Sequence, residues 1–311
     1  MQVHKDLSAL PKFKNAIVTI GTFDGVHLGH QQIIKQLKET ASLVDGETII
    51  ITFNPHPRSI VGAYGGLVAL LNSMDEKIFL LDNAGIDHLV IIPFTKEFAE
   101  SSADEYCRDF IFKYFQPHTV IIGYDHRFGK SRKGDYHLLE EVGLELGFDV
   151  KEIDEKVLNT VTISSTGIRN ALLENDINTA NQFLGYPYFF EGKVVSGNKI
   201  GRTIGFPTAN IQLNTDEKLI PSDGVYAVTI DQKSKNEKRL LGMMNIGIRP
   251  TVDAKKRLIE VNIFDFDTDI YDTILQIHIH AFIRNEIKFS GLDTLIIQLK
   301  ADAIIAKKLL Q

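Results

Sequence analysis

His27 and His30 stand three residues apart in the string Gly21-Thr22-Phe23-Asp24-Gly25-Val26-His27-Leu28-Gly29-His30, which follows a β-branched run and opens a helical pattern. That position suits a phosphate. Glycines let the backbone come close to a ligand, and the free amides at the positive dipole end of a helix favour an anion. If the helix begins near these histidines, both imidazoles lie on one face. There they can donate hydrogen bonds to charge building on a phosphorus during displacement, with no covalent intermediate required. Surface histidines around an ordinary turn are the plain alternative. A lone histidine would favour it; the whole string does not.

Further candidate segments sit at expected strand ends or helix starts. Phe53-Asn54-Pro55-His56-Pro57-Arg58 follows a second apolar run. Ile163-Ser164-Ser165-Thr166-Gly167-Ile168-Arg169 opens a helix, where hydroxyls cap free amides and the guanidinium offers a fork of donors to a phosphate. Capping alone explains the serines equally well. Gly123-Tyr124-Asp125-His126-Arg127-Phe128-Gly129-Lys130-Ser131 looks like a P-loop, but it has five residues between its glycines where the P-loop has four. It is a separate loop. Its Asp125, Arg127, Lys130 and Arg132 either hold adenosine hydroxyls and phosphates or are simply solvated, and the loop alone leaves the two readings even.

A second phosphate chemistry is suggested by Gly197-Asn198-Lys199-Ile200-Gly201-Arg202-Thr203-Ile204-Gly205-Phe206-Pro207-Thr208-Ala209-Asn210. Its glycines permit tight backbone approach. Thr208 and Asn210 supply neutral oxygens suited to a partly hydrated Mg2+ that also binds nucleotide phosphates. A turn-rich hairpin is the alternative.

The elements that must position these groups change character along the chain. From Ala16 to about Ile153, short β-branched runs alternate with helix-like segments, as parallel strands joined by crossover helices do. The expected strands are Ala16–Ile20, Thr48–Phe53, His88–Ile92, Thr119–Ile122 and Phe148–Ile153, nearly all apolar, as strands covered on both faces must be. Between them, Gly29–Val44, Asp75–Ala84, Ala103–Phe115 and Tyr136–Leu146 carry apolar residues at helical spacing. Ligands on such open sheets bind beyond the carboxyl ends of the strands. Two short helices, Thr166–Glu174 and Ile177–Leu184, follow, and the texture then changes at Gly185-Tyr186-Pro187. The expected domains are therefore 1–184 and 185–311. In the second, Phe189–Val195, Val225–Ile230, Arg239–Asn245, Leu258–Phe264 and Leu275–Phe282 succeed one another as strands, which predicts a small antiparallel sheet or barrel. A closing helix from Leu292 is expected to bury Leu295, Ile296, Leu299, Ala303, Ile304 and Leu309, and Lys233–Arg239 reads as a solvated hairpin end.

Composition bounds the function. At 311 residues and 44% hydrophobic, the chain can bury two cores, and its net charge of −6 disfavours nucleic acid as the main partner. Cys107 is the sole cysteine, which removes intramolecular disulfides and multi-cysteine metal sites and fits an intracellular setting. The start of the chain lacks a signal-peptide pattern, and no apolar run approaches bilayer length, so a cytoplasmic protein without membrane partners is expected.

The strings GTFDGVHLGH, TFNPHPR, GYDHRFGKSRKGD and ISSTGIR resemble, in order, those of the adenylyltransferase module in bacterial bifunctional riboflavin kinase/FAD synthetases. The histidine motif by itself marks a broad nucleotidyltransferase superfamily; the strings together are highly specific. The resemblance implies that His27 and His30 stabilise transfer of the α-phosphate to FMN, within a loop that includes Gly21, Phe23, Asp24 and Gly25. It implies that Asp125, Arg132, Ser164, Ser165, Thr166 and Arg169 help to place ATP, and that His56 and Pro57 lie beside the flavin and nucleotide phosphates. Downstream, the segment holding Gly201, Arg202, Gly205, Phe206 and Pro207 resembles the nucleotide and magnesium loop of riboflavin kinases, whose Pro-Thr-Ala-Asn is very specific, with Thr208 and Asn210 at the metal. Matches at Gly224–Ala227, Asn245–Thr251, Phe264–Phe266 and Phe282–Phe289 extend it to the end of the chain.

A kinase acting on a primary alcohol benefits from a carboxylate near the attacking oxygen, and the resemblance makes Glu260 that base. Position on a strand alone would leave Glu260 an outward, solvated glutamate. Asn245 and Arg284 are counted on the ATP and flavin side, although Arg284 and Glu286 read at least as well as a structural pairing. The implied reactants are ATP, riboflavin, FMN and FAD, with Mg2+ as cofactor and no resident redox group, because the flavin is substrate and product. A monomer or weak homo-oligomer binding only small molecules is expected. The competing expectations are a chain in which one module has lost its chemistry, a flavin-responsive regulator without turnover, and a nucleotidyltransferase for another phosphate ester, which would leave the second domain unexplained.

Overall fold

The computed structural model describes residues 1–61, 68–153, 163–197, 200–232, 239–250 and 255–311. Asn198 and Lys199, the lysine-rich 233–238 and Thr251, all singled out in the sequence, lie outside it. Packing divides the chain into two units, Met1–Leu70 with Met74–Ser164, and Leu71–Ser73 with Ser165–Gln311.

The first unit is built on a parallel six-stranded sheet. Its strands are β1 Gln2–His4, β2 Ile17–Ile20, β3 Thr48–Phe53, β4 His88–Ile92, β5 Thr119–Gly123 and β6 Asp149–Ile153. They lie in the order β1-β4-β3-β2-β5-β6. The central strands are apolar on both sides because both faces are covered. Val18, Ile20, Ile49, Ile51, Val120 and Ile122 point into one core with Tyr106, Cys107, Phe110 and Ile111, while Ile17, Ile50, Leu89 and Ile121 point into the other with Ile34, Leu37 and Leu81. The helices α1 Leu28–Val44, α2 Met74–Asn83 and α3 Tyr136–Leu146 lie close to their expected limits. Asp135 caps the start of α3 through the Leu138 amide, and Gly147 ends it in the left-handed region. The expected helix 103–115 is present, with its middle, Tyr106–Phe112, wound as a π-helix. From β2 the chain steps outward through β3 to β4, then returns to lay β5 on the other side of β2. The loops leaving β2 and β5 therefore flank the crevice where the strand order reverses, the position at which open α/β sheets take ligands.

The second unit is a closed antiparallel barrel. Its strands are β7 Tyr188–Val195, β8 Ala209–Leu213, β9 Gly224–Gln232, β10 Leu240–Pro250, β11 Lys255–Ile263 and β12 Ile274–Arg284, in the order β10-β11-β8-β7-β12-β9. Buried Tyr188, Phe190, Val228, Ile230, Met244, Ile246, Val261, Ile277 and Ile279 alternate with outward residues along their strands. Two helices, α4 Ser165–Leu173 and α5 Ile177–Leu184, pack with this unit. Asn181 donates from Nδ2 to the Ile279 carbonyl at 2.9 Å and accepts from the Tyr188 amide at 2.7 Å, while the Tyr226 hydroxyl donates to Asn175 at 2.6 Å. The packing division accordingly falls at Ser164/Ser165, ahead of the change in texture at Gly185. Leu71 joins the same unit by accepting from buried Lys218 Nζ at 2.6 Å.

The closing helix, α6 Leu292–Leu309, departs in part from its expected face. Leu295, Ile296, Leu299 and Ala303 are half-buried as that face requires, but Ile304 and Leu309 are exposed, and Asp302 and Ala306 are the residues it buries fully. Leu299, Ala303, Ala306 and Leu310 meet Ala227 and Met243 on the outside of the barrel. This rotation is set by an ion pair: Arg284 donates from Nε and Nη2 to the fully buried Asp302 carboxylate at 2.7–3.1 Å.

Candidate active sites

The histidine loop begins where β2 ends, anchored by the Gly21 amide on the Ile51 carbonyl at 3.0 Å. It turns through positive φ at Phe23 (46°), Gly25 (90°) and Val26 (37°). For β-branched Val26 that conformation is strained by roughly 1–3 kcal/mol, a cost that persists only when surrounding contacts impose it. Phe23, Asp24 and Val26 are all buried. His27 caps α1: its Nδ1 accepts from the His30 amide at 3.4 Å, which leaves the ring proton on Nε2. The two imidazoles stack at 3.7 Å between centroids, and Phe23 lies 4.9 Å from His30. Burial, followed by the neighbouring His27 and Lys77, pushes the His30 imidazole well below its usual range, so it is neutral at neutral pH. Among the described residues its Nδ1 has no hydrogen-bond partner.

Beneath the loop lies a residue the sequence reading missed. Lys77 of α2 is 6% exposed and donates to the Thr22 carbonyl at 2.6 Å. Met74, Lys77, Ile78 and Leu81 occupy one face at helical spacing, so its place on the apolar stripe was the available signal.

The neighbouring strand ends supply the other expected groups of this unit. After β3, Pro57 opens the short helix Pro57–Val61, where its missing amide costs nothing. His56 Nδ1 accepts from the Arg58 amide at 3.2 Å and its carbonyl accepts from Ser59 at 2.6 Å. After β5, the amides of Phe128, Lys130, Arg132 and Gly134 all bond within the unit, to Gly134, Ser101, Gly129 and Phe128 respectively. A P-loop needs such amides free, so the segment is indeed a different loop. Asp125 and Arg132 are exposed on it, and Lys130 pairs with Glu100 at 2.6 Å. His126 Nε2 is enclosed without a hydrogen-bond partner among the described residues, and burial lowers this imidazole to about 4. Ser164 ends the first unit, whereas Ser165, Thr166 and Arg169 lie on α4 of the second. Within a single unit the structure thus gathers the histidine loop, His56, Pro57 and the 123–134 loop.

In the barrel, pairing brings separate motifs into one row. Asn245 on β10 stands opposite Glu260 on β11, and Glu260 stands opposite Asn210 on β8. Directly opposed residues share a face. The row lies on the outside, because Met243, two residues from Asn245, packs against α6. Asn262, also on this face, donates to the Pro207 carbonyl at 2.7 Å and ties the glycine-rich loop to β11. The loop is tight: the Phe206 amide bonds the Gly201 carbonyl at 2.8 Å, and a Cβ on Gly197 would fall 2.2 Å from Asn210 Nδ2. Arg202, Gly205, Pro207 and Thr208 are exposed at its surface. Asn245 donates to Glu286 at 3.3 Å. Asn210 stands beside Glu260, and Thr208 lies two residues before it on the exposed loop; their oxygens would suit Mg2+ shared with phosphates. Arg284 is committed to Asp302, to the Asn285 carbonyl at 2.8 Å and to the Phe289 ring.

Comparison with known proteins shows the family to which the chain belongs. The family model for FAD synthetase matches residues 10–167 and that for riboflavin kinase residues 184–310. The bifunctional riboflavin kinase/FMN adenylyltransferase of Escherichia coli strain K12 is 36% identical over 303 residues, covering 97% of this chain and 95% of its own. The chain belongs to the family of bifunctional riboflavin kinase/FMN adenylyltransferases. The relative of that name from Listeria monocytogenes is 39% identical over 289 residues, covering 93% of this chain and 90% of its own. A solved structure from Streptococcus pneumoniae, described as a macrolide-efflux protein, aligns with a TM-score of 0.86 at 31% identity over 98% of both chains. Among the described residues no helix is long and apolar enough to cross a membrane. As a member of this family the flavin enzyme phosphorylates riboflavin to FMN and adenylylates FMN to FAD, with ATP as co-substrate of both steps.

Proposed function

We propose that the histidine loop carries adenylyl transfer and the outer row of the barrel carries the kinase step, in functional modules 1–184 and 185–311. The observation that supports this most directly is the in-register row Asn245, Glu260, Asn210, which puts a carboxylate beside Asn210 in a unit different from that of the stacked histidines. In the kinase step Glu260 takes the proton of riboflavin's terminal hydroxyl as that oxygen attacks the γ-phosphorus of ATP and ADP leaves. Gly201, Arg202, Gly205, Phe206 and Pro207 line the nucleotide, and Thr208 and Asn210 would hold Mg2+, which when bound neutralises phosphate charge. In the second step a phosphate oxygen of FMN attacks the α-phosphorus of another ATP and pyrophosphate leaves. His27 and the neutral His30 donate hydrogen bonds to the oxygens that gain charge. His56 and Pro57 border the flavin and phosphates, while Asp125, Arg132, Ser164, Ser165, Thr166 and Arg169 orient ATP. The enzyme works in the cytoplasm as a monomer or weak homo-oligomer.

A time course with riboflavin, ATP and Mg2+, resolved by chromatography, tests the assignment. His30→Ala is expected to stop at FMN, and Glu260→Gln to make no FMN from riboflavin yet FAD from supplied FMN. Loss of both activities in either variant would refute separate sites.

A further inference from the structure

We propose that Lys77 is a positioning residue for adenylyl transfer: its enclosed ammonium holds the histidine loop in shape and sets a fixed positive charge behind His30. The proposal rests on the assignment of that transfer to His27 and His30. A lysine is almost never this buried without a partner, and the partner here is the backbone of the loop itself. The Thr22 carbonyl accepts from Lys77 Nζ at 2.6 Å and from Thr52 Oγ1 of β3 at 3.2 Å. Two donors therefore pin the peptide immediately before Phe23, at the entrance to the stretch whose positive φ values at Phe23 and Val26 need support from outside. A neutral side chain of equal length would fill the space but would leave Thr22 with a weaker anchor.

The charge matters as well as the bond. The titratable groups facing Lys77 are Asp24 from the loop and His30 from α1, with Glu76 beside it on its own helix; Asp24 and Glu76 are each 1% exposed. Burial lowers the ammonium to about 8, with Asp24 pulling the other way. The same ammonium contributes to keeping His30 neutral. Lys77 thus supplies positive potential to the phosphate side of the loop while leaving His30 a neutral hydrogen-bond donor. That potential is worth most when negative charge gathers on the transferring phosphoryl group, so its removal falls on kcat more than on KM.

The test compares Lys77→Met, which keeps the aliphatic stem and loses the ammonium, with Lys77→Arg, which keeps the charge, both in the full chain with riboflavin kinase activity as internal control of folding. FAD formation from FMN, ATP and Mg2+ is followed from about pH 6 to about pH 10. Lys77→Met is expected to lose on the order of 10–100-fold in kcat, with KM for FMN and ATP changed less than about threefold and the kinase rate kept. In the native chain kcat/KM falls as pH rises through about 8, where Lys77 loses its proton. That limb disappears in Lys77→Met and moves upward in Lys77→Arg. A kcat for Lys77→Met within about threefold of native, or an alkaline limb unchanged in Lys77→Arg, overturns the proposal. If Lys77→Met does not fold, the limb in Lys77→Arg still decides. His30→Ala run alongside separates the two ideas: FAD formation surviving in His30→Ala defeats the site assignment, whereas its loss there with Lys77→Met intact defeats only the role of Lys77.

Discussion

Asp302→Asn isolates the buried ion pair that holds the closing helix to the kinase barrel. The carboxylate is fully buried and accepts three contacts from Arg284 at 2.7, 2.9 and 3.1 Å, with a fourth from Gln298 at 2.9 Å. With charge centres about 4 Å apart, the attraction is about 4 kcal/mol at an effective dielectric of about 20. Breaking a buried pair by neutralising one member costs about 3–5 kcal/mol, because the other charge is left uncompensated. The Arg284 side chain keeps 17% of its surface, so water reaches it and the lower end, about 3 kcal/mol, applies. For a unit of this size that corresponds to a fall of roughly 6–12 °C in Tm. Two units give two transitions, and only that of the barrel should move; thermal unfolding by circular dichroism, scored against kinase activity, reads it. Below the lowered transition, KM for riboflavin and ATP should stay native, and Arg284→Lys should behave alike. A Tm shift under about 2 °C, or a raised KM at unchanged Tm, would refute the argument and return Arg284 to the ligand side.

Acid should loosen both units. Burial holds His278 and His126 at about 4 in the folded chain, against the ordinary imidazole value of 6.5. The unfolded chain therefore takes up protons that the folded one refuses. Stability from each group is complete above 6.5 and falls as pH drops from 6.5 toward 4, by up to about 3 kcal/mol apiece. His278→Gln should flatten the barrel's unfolding midpoint across that window, and an unchanged slope would exclude His278 as the cause. Gly197→Ala places a Cβ 2.2 Å from Asn210 Nδ2 and must displace that amide. The half-saturating Mg2+ for the kinase should rise about tenfold in a titration, with FAD formation from supplied FMN unaffected; equal Mg2+ dependence would remove Asn210 from the metal.

What the sequence reveals here follows from how local each feature is. Ile17–Ile20 reads as a strand covered on both faces because its side chains alone carry that information. α3 reads correctly to its ends because Asp135 and Gly147 are adjacent to them. Strand β8 is illegible, since Ala209 and Asn210 look like more of the preceding loop and become a strand only through pairing with β7 and β11. β1, three residues long with a glutamine and a histidine, has no pattern to detect and exists because β4 offers it an edge. The helices α4 and α5 are visible, but the unit they join is decided by Asn181 and Asn175, whose partners lie far along the chain.

The same distinction separates the candidate residues. His27 and His30 can be read as a pair because one helical turn brings them together, and the structure adds only their stacking and cap. The row of Asn245, Glu260 and Asn210 needs the register of three strands, so the sequence offers its members but not their contact. Lys77 is a step further removed. Its position on an apolar stripe implies burial, yet a buried ammonium is intelligible only with its acceptor, and that acceptor is the carbonyl of Thr22, fifty-five positions away. A pattern along the chain shows which face is dry; it does not show which distant polar group waits there. For that reason the residues proposed to meet the phosphates are more readable in this enzyme than the one proposed to hold them in place.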